Sequence, residues 1–271
     1  MRDRIVAAAP TGFQQGLGIS FEIDGDAVLA RLTADPHVCS RPGRVDVGVL
    51  ATLADCAAGL RTLHTIEPGW TATMVLSTHA LEPHRHPDLT ATAEVAHRRR
   101  SGVVIDVAIR DGLGTRVATA MGSFAEMTRE HSGLEVALAG AAPLDALGHA
   151  AGLRAATAAD TLGIRQTAPH RFEIDLLPVV RNTAHALIGG ATALFAEKAA
   201  VRAARHADPR IGRASSVELH YLGPGRVGPI VAATEVLDPA GDPPTRVRVR
   251  MTDAGAGDRA VATALVAVTD R

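Results

Sequence analysis

The sequence predicts an α+β protein made of two tandem units, each a curved antiparallel sheet wrapped around one long central helix. The runs Val45–Leu63 and Asn182–Ala200 predict the helices, because both are helix-length, rich in small and aliphatic residues, and carry the acids Asp55 and Glu197 in the same setting. The run Val103–Arg110 shows the period of two that is typical of a strand with one face on a core. A helix that is apolar on all sides must be surrounded, and a curved sheet meets that need.

The sequence downstream of each helical run also repeats, at a separation of about half the chain. The segment STHALEP (77–83) corresponds to ELHYLGP (218–224), which aligns His79 with His220. Such self-similarity indicates a tandem duplication. We therefore predict an N-terminal domain over residues 1–128, a linker at 129–143 and a C-terminal domain over 144–271.

In the first unit, residues 4–15 are predicted to form a short leading helix, followed by a hairpin of Leu17–Ile23 and Ala27–Leu32 that turns at 24–26. The long helix comes next. Four strands follow it, at Thr73–Leu81, Leu89–His97, Val103–Arg110 and Val117–Met127.

The second unit repeats this order. A helix is expected at Leu144–Ala159, a strand at Arg171–Leu177, and the second long helix within residues 182–206. Four strands end the chain, at Val217–Leu222, Ile230–Leu237, Arg246–Thr252 and Ala260–Val268. Pairing the two units edge to edge removes an exposed strand edge from each, so we expect an intramolecular pseudo-dimer. We also expect these pseudo-dimers to associate into a homo-oligomer.

Composition narrows the functional class. The 28 basic and 29 acidic residues give a net charge of −1, which provides no field to gather nucleic acid or an anionic membrane. No segment approaches the roughly 18 uncharged apolar residues of a membrane span. The N-terminus has a basic start, but Pro10 ends the apolar run that follows it after a few residues, so we expect no signal peptide. Cys39 and Cys56 are too few for a disulfide framework, so we expect a soluble, cytoplasmic protein.

Two segments carry a resemblance to a known family. DVGVLATLAD (46–55) and IGGATALFAE (188–197) resemble the H-G-G-x-x-x-x-x-x-D/E segment of hotdog-fold acyl-CoA thioesterases of the phenylacetate-pathway type, and TMVLSTHALEP (73–83) resembles that family's strand after the helix. The resemblance spans most of both halves. It implies two tandem hotdog domains and an active site shared across their interface.

The resemblance also implies a chemistry. A glycine amide at the start of the central helix holds the thioester carbonyl oxygen, where free N–H groups and the helix dipole favour negative charge. An acid on the other unit's helix acts as nucleophile or as base for water, a hydroxyl positions that water, and an Asn orients the carbonyl.

Carried over residue by residue, the resemblance implies one well-matched site and one poor one. The matched site takes the orienting Asn182 and the oxyanion donors Gly189 and Gly190 from the second half, with the acid Asp55 and the hydroxyl of Thr73 from the first, although Ile188 replaces the histidine. The possible second site keeps only Gly48 and Glu197, because Ser40, Asp46, Val47 and Ala214 replace the Asn, His, first Gly and hydroxyl.

Simpler interpretations of the same residues stay open. An acid in a helix is often a solvated surface residue. The apolar neighbours of Asp55 argue against a surface position for Asp55, whereas Lys198 and Arg202 favour one for Glu197. The alternative for the Gly189–Gly190 pair is a role in tight packing alone. Asn182 suits a helix N-cap or turn, and Thr73 is a good strand former.

Other polar residues fall outside this pattern. Arg98, Arg99 and Arg100 lie between two strands, where they are either a binding site for the phosphates of coenzyme A or a solvated hairpin tip. The repeated His79 and His220 are interpreted as structural. The pair His84 and His86 has no carboxylate or thiolate spaced to complete a metal site, so no metal and no redox cofactor is predicted.

The predicted function is hydrolysis of acyl-CoA-type thioesters, an enzymatic thioesterase activity with acyl-CoA as the partner. A non-catalytic acyl-CoA binder or sensor on the same fold is the first alternative. A hotdog enoyl-CoA hydratase is the second, and it would need an Asp and His pair, for which His185 is the nearest histidine.

Overall fold

The computed structural model describes residues 12–24, 27–66, 69–127, 157–182, 184–238 and 244–270. The described part of the first half has the helices and strands α1 Gly12–Gly16, β1 Ser20–Asp24, β2 Ala27–Thr33, α2 Val47–Ile66, β3 Trp70–Ala80, β4 Asp88–Arg99, β5 Gly102–Asp111 and β6 Arg116–Met127. The described part of the second half has β7 Arg165–Ala168, β8 Arg171–Ile174, α3 Gly189–Ala207, β9 Ile211–Tyr221, β10 Ile230–Val236, β11 Thr245–Asp253 and β12 Arg259–Asp270.

All twelve strands form one antiparallel sheet in the order β1-β2-β4-β5-β6-β3-β9-β12-β11-β10-β8-β7. The two halves meet at the centre, where β3 pairs with β9 from Val75 opposite His220 to His79 opposite Ser216. Counted outward from this ladder, the strands of the two halves follow the same order. The architecture is the tandem hotdog fold, and the expected edge-to-edge pairing of the two units is confirmed.

The central helix α2 is buried on nearly every side, because it lies between the strands of its own half and α3. Residues 47–54 and 56–58 are buried, and Leu53 and Ala54 are fully inaccessible. This enclosure explains why the sequence of α2 lacks a polar face. The helix of the second half is enclosed in the same way over residues 190–197.

The two long helices cross in close contact at two glycines. A Cβ on Gly48 would lie 2.4 Å from Leu194 Cα, and a Cβ on Gly190 would lie 2.4 Å from Thr52 Cγ2. The start of each helix therefore rests on the middle of the other, in an antiparallel arrangement. This crossing places the acid of each helix beside the other helix's N-terminus.

Several boundaries differ from the predicted ones for identifiable reasons. The second helix begins at Gly189 rather than Asn182, because Asn182 Oδ1 accepts hydrogen bonds from the amides of Ala184 and Ala186 and closes a turn in which His185 has a φ of 57°. The strand after Arg171 ends at Ile174, since a 3₁₀ turn begins at Pro178. The strand β7 was not predicted, and β9 begins at Ile211, earlier than expected.

The remaining predictions are tested unequally. The hairpin of β1 and β2 and the four strands of each half after the long helix are present. The expected linker at 129–143 and most of the helices expected at 4–15 and 144–159 lie outside the described residues, so the domain boundaries stay a prediction. Among the described residues, no helix is long and apolar enough to cross a membrane.

Candidate active site

Residues from both halves come together at two positions, one at each end of the ladder between β3 and β9. At one end, Asp55 of α2 lies beside the start of α3. At the other end, Glu197 of α3 lies beside the start of α2. The two places are related by the internal repeat, but their side chains differ.

Asp55 is bonded to the hydroxyl expected to assist it. Thr73 on β3 donates its Oγ1–H to Asp55 Oδ1 at 2.9 Å. The other carboxylate oxygen, Oδ2, lies 2.9 Å from the position that a Cβ on Gly189 would occupy. The structure therefore brings together Asp55 and Thr73 of one half and Gly189 of the other.

The start of α3 suits an oxyanion. The first amides of a helix have no acceptor within the helix, and the helix dipole adds positive potential there. Both glycines at this helix start are needed for close packing, since a Cβ on Gly189 would meet Asp55 and one on Gly190 would meet Thr52. Glycine at these two positions lets the backbone of α3 approach α2 closely.

Burial changes the acidity of Asp55. The side chain is half-buried, and burial raises its pKa to about 6, while the hydrogen bond from Thr73 lowers it. The fully solvated surface position considered from the sequence is therefore wrong for Asp55. An acid with a pKa near the working pH is suited to accept and return a proton.

Tyr221 completes this end of the ladder and was not identified from the sequence. Its phenolic O–H donates to the carbonyl oxygen of Gly189 at 3.1 Å, and burial together with the charge of Asp55 raises its pKa well above the usual value. The repeat held the relevant signal, because Tyr221 in HYLGP takes the place of Ala80 in HALEP. The ring thus occupies space that the other half leaves to a methyl group.

Asn182 has a structural role in this chain. Its side-chain oxygen accepts the amides of Ala184 and Ala186 at 3.0 and 3.1 Å. This is the turn function that was considered as the alternative to carbonyl orientation. His185, in the same turn, is exposed, and no hydrogen bond in the described structure joins it to Asp55.

Glu197 is not on a wet face, so that interpretation is wrong. Only 2% of its surface is exposed, and its Oε2 accepts the amide N–H of Gly48 at 2.8 Å. Lys198 Nζ lies 2.6 Å from Asp46 Oδ2 and 3.7 Å from Glu197 Oε1, and Ser40 donates to Asp46 Oδ1 through its hydroxyl. Helix α3 turns Lys198 inward, which the sequence alone did not reveal.

The charges in this cluster compensate one another. Burial raises the pKa of Glu197 to about 7, against the opposing effect of Lys198. Burial lowers the pKa of Lys198, but the carboxylates of Glu197 and Asp46 outweigh it and the net shift is upward. The amide of Gly48 is already bonded to protein, so a substrate oxygen would have to displace a carboxylate there.

Two adjoining cavities lie on the Glu197 side. The larger has a volume of about 220 Å³. Both are lined by Ser40, Asp46, Glu197 and Arg213, and neither is lined by Asp55. These two cavities thus lie at the opposite end of the β3–β9 ladder from Asp55.

The other candidates are dispersed. Arg98, Arg99 and Arg100 are exposed at the β4–β5 hairpin, and Arg98 Nη1 donates to the carbonyl of Thr65 at the end of α2. His79 lies 3.0 Å from Ser77 within β3. His86 Nδ1 accepts the amide of Asp88, and in the described part of the chain no three His, Cys, Asp or Glu side chains are grouped to hold a metal ion.

No protein-family model and no curated protein sequence matches this chain. Among solved structures, an acyl-ACP thioesterase from Bacteroides thetaiotaomicron superposes with a TM-score of 0.60 at 12% identity, covering 90% of this chain and 98% of its own. A 12:0-ACP thioesterase from Umbellularia californica gives 0.58 at 10% identity, covering 93% of this chain and 100% of its own. At such identities the likeness establishes the fold, which is the double hotdog over nearly the whole chain.

Proposed function

We propose that the protein hydrolyses thioesters at the composite site formed by Asp55 and Thr73 of one half and the start of α3 in the other. The observation that carries the proposal is the contact of the Thr73-bonded Asp55 carboxylate with Gly189. A general base, a hydroxyl and a helix N-terminus within one small volume are what acyl transfer to water requires. The full-length structural neighbours named as thioesterases support the same kind of reaction.

The reaction follows from the roles of these groups. The amides of Gly189 and Gly190 donate to the thioester carbonyl oxygen and stabilise its negative charge as the carbonyl carbon becomes tetrahedral. Asp55 either takes the proton of an attacking water held by Thr73 or attacks the carbonyl itself. In the first route Asp55 passes the proton from water to the departing thiolate as the C–S bond breaks, which gives a thiol and a carboxylic acid. In the second route the C–S bond breaks to give a thiolate, which takes a proton from solvent, and a mixed anhydride with Asp55, which water then hydrolyses to the carboxylic acid and free Asp55. We keep Asn182 in this proposal only as the residue that shapes the turn before α3.

The thiol carrier is the finer part of the proposal. Acyl-CoA follows from the family resemblance, whereas the two full-length neighbours are named for acyl-ACP substrates. Both carriers present the acyl group on the same phosphopantetheine arm, so the chemistry at Asp55 is the same. The phenylacetate-pathway subtype stays a prediction.

The deciding experiment is steady-state release of free thiol from a panel of acyl-CoA and acyl-ACP thioesters. A hydrolase turns over many equivalents, and the preferred carrier gives the higher kcat/KM. Binding of a thioester without thiol release would favour the acyl-CoA binder or sensor. Hydration of an enoyl-CoA without thiol release would favour the hydratase and would require a base other than the exposed His185.

We expect the β4–β5 hairpin that carries Arg98, Arg99 and Arg100 to contribute to binding of the carrier. Arg98 pairs with Val103, Val103 with Phe124, and Phe124 with Thr73, so Arg98 stands in the same row of the sheet as the catalytic hydroxyl, three strands away. Three strand spacings amount to roughly 14 Å. This separation places the hairpin within reach of a phosphate on the carrier arm.

Replacing Arg98, Arg99 and Arg100 together by Ala is therefore expected to raise KM for CoA thioesters several-fold and leave kcat nearly unchanged. Contacts remote from the reacting carbon bind the ground state and the transition state alike. Initial rates measured over a range of acyl-CoA concentrations separate the two constants. An unchanged KM would leave the arginines as a solvated hairpin tip.

Tyr221 is expected to limit the size of the acyl group. Its ring lies against Gly189, where the other half has Ala80, so Tyr221→Ala should open space beside the carbonyl-binding amides. We expect the ratio of kcat/KM for long over short acyl chains to rise about tenfold, the discrimination that one or two methylene contacts supply. Tyr221→Phe keeps the ring and is the matched control. An unchanged ratio in Tyr221→Ala would place the acyl group elsewhere.

A further inference from the structure

Three arginines converge on the cavity at the Glu197 end of the ladder. Arg41 and Arg44 lie in the turn before α2, where the amide of Arg44 bonds to the carbonyl of Arg41. Arg213 lies on β9. All three side chains are half-buried and line the smaller of the two cavities, which has a volume of about 20 Å³ and adjoins the larger cavity that Arg213 also lines. They come from both halves of the chain, so this cluster exists only in the assembled pseudo-dimer. We call it the arginine triad.

In the part of the protein that the structure describes, the triad has no carboxylate partner. Across the described residues, none of its three guanidinium groups lies within ion-pair distance of an Asp or Glu, and the one side-chain hydrogen bond involved is a long one from Arg44 to the carbonyl of Leu81. Ion pairs elsewhere on this protein are common, as between Arg165 and Asp175. The three guanidinium groups differ from that pair in having no ion-pair partner among the described residues.

The other charged groups in the cavity do not neutralise the triad. Asp46 and Glu197 are both engaged by Lys198. Glu82 also lines the cavity but is exposed to solvent. His84 also lines the cavity, and burial lowers its pKa, which disfavours a further positive charge there.

The positive charges of the triad affect the pKa of Arg213. Burial lowers the pKa of its guanidinium, and the positive charges of Arg44 and Arg41 lower it further. Like charges that are partly removed from water repel strongly unless a counterion joins them. A multiply charged anion between the three side chains would remove this repulsion.

We propose that the arginine triad binds a phosphate group. Arginine presents a planar fork of N–H donors that matches phosphate oxygens two at a time, and a phosphate dianion has enough acceptors and charge for three such forks. A single carboxylate has only two oxygens to share among them. The phosphate comes either from a free phosphate ion or from a phosphate ester on a larger carrier molecule.

This site is separate from the proposed thioester chemistry. It lies at the opposite end of the ladder from Asp55, and the neighbouring helix-start amide of Gly48 is occupied by Glu197. Phosphate binding here therefore does not require that the protein hydrolyse thioesters. The two proposals can fail independently, because one is read by ligand binding and the other by thiol release.

The test is calorimetric titration of the full-length chain at constant ionic strength with three probes: inorganic phosphate, coenzyme A, and pantetheine, which lacks phosphate. We expect phosphate to bind, and Arg213→Gln to weaken it at least tenfold. Arg259→Gln is the matched control, because Arg259 is exposed on β12 and lines neither cavity. Arg44→Gln provides a second variant if Arg213→Gln does not fold, as judged by its thermal transition.

The probes separate the two sources of phosphate. If coenzyme A also binds and Arg213→Gln weakens it, while pantetheine does not bind, the triad holds a carrier phosphate ester. If only inorganic phosphate responds to Arg213→Gln, the triad holds the free ion. Phosphate affinity that is the same in wild type, Arg213→Gln and Arg44→Gln, or no phosphate binding at all, overturns the proposal.

Discussion

Replacing Asp55 by Asn is expected to lower thioester hydrolysis by a factor on the order of 10² or more, since it removes the base or nucleophile and preserves the shape of the side chain. The amide oxygen can still accept the hydrogen bond from Thr73. Binding of a non-hydrolysable thioester analogue should therefore persist in the variant. Thiol-release kinetics and analogue titration measure the two effects separately.

The same variant should be more stable than the wild type at neutral pH. The pKa of Asp55 is raised to about 6 by burial, so between pH 4 and pH 6 the folded protein holds a proton that the unfolded chain has lost. Stability from this group thus falls as pH rises through that window and is level above it. At pH 7 we expect Asp55→Asn to gain on the order of 2 kcal/mol, and this gain should vanish near pH 4.

Activity should follow the opposite course with pH. The wild-type kcat/KM should rise as Asp55 ionises and level off above about pH 6. Glu197→Gln is the matched control, because it is the repeat-related acid and its neighbouring amide is already occupied. We expect its rate to stay within a few fold of wild type. Equal losses from Asp55→Asn and Glu197→Gln would mean that both ends of the ladder carry the chemistry.

Replacing Gly48 by Ala is expected to lower the free energy of unfolding by about 3 kcal/mol or more. The added Cβ would lie 2.4 Å from Leu194 Cα and 2.8 Å from Leu194 N, which are backbone atoms of the other helix. A side chain could rotate away, but a helix backbone has to move as a unit. The two long helices would therefore separate at the centre of the molecule.

Gly59→Ala is the comparison that isolates this effect. Gly59 is in the same helix, and nothing lies within 4 Å of where its Cβ would stand. Its replacement should stabilise the protein by about 0.5–1 kcal/mol, because alanine loses less conformational freedom in a helix. Thermal denaturation of both variants measures the contrast. A Gly48→Ala protein as stable as Gly59→Ala would mean that the helices do not pack this closely.

The fold was predictable because its signals are local and repeated. Alternation in β5 and the all-apolar sequence of α2 each define an element without knowledge of the rest. The repeat then required that both halves share one plan. The need to cover strand edges predicted that the two units pair edge to edge, and in the structure β3 and β9 form that pairing. The late start of α3 was missed because Asn182 closes a turn, and an Asn suits a turn as well as a helix cap.

The candidate site was less predictable because it depends on which side chains meet across the interface. The pairing of Asp55 with Thr73 was implied by the family resemblance within one half of the chain, and the structure has their side chains hydrogen-bonded. The burial of Glu197 does not, since Lys198 follows it and a charged pair usually marks a solvated face. Tyr221 was visible only as a tyrosine in place of Ala80, and a sequence does not say what its ring touches.

The pairing of β3 with β9 inside one chain has a consequence for how this protein can change. In a dimer of two identical chains, any substitution near the shared ladder appears at both ends at once. Here Ala80 and Tyr221 occupy equivalent positions of the two repeats in one polypeptide. A substitution at one end of the ladder therefore leaves the residues at the other end unchanged. The site at one end of the ladder can lose its activity while the site at the other end keeps its own. Further substitutions can then adapt the inactive site to bind a different ligand.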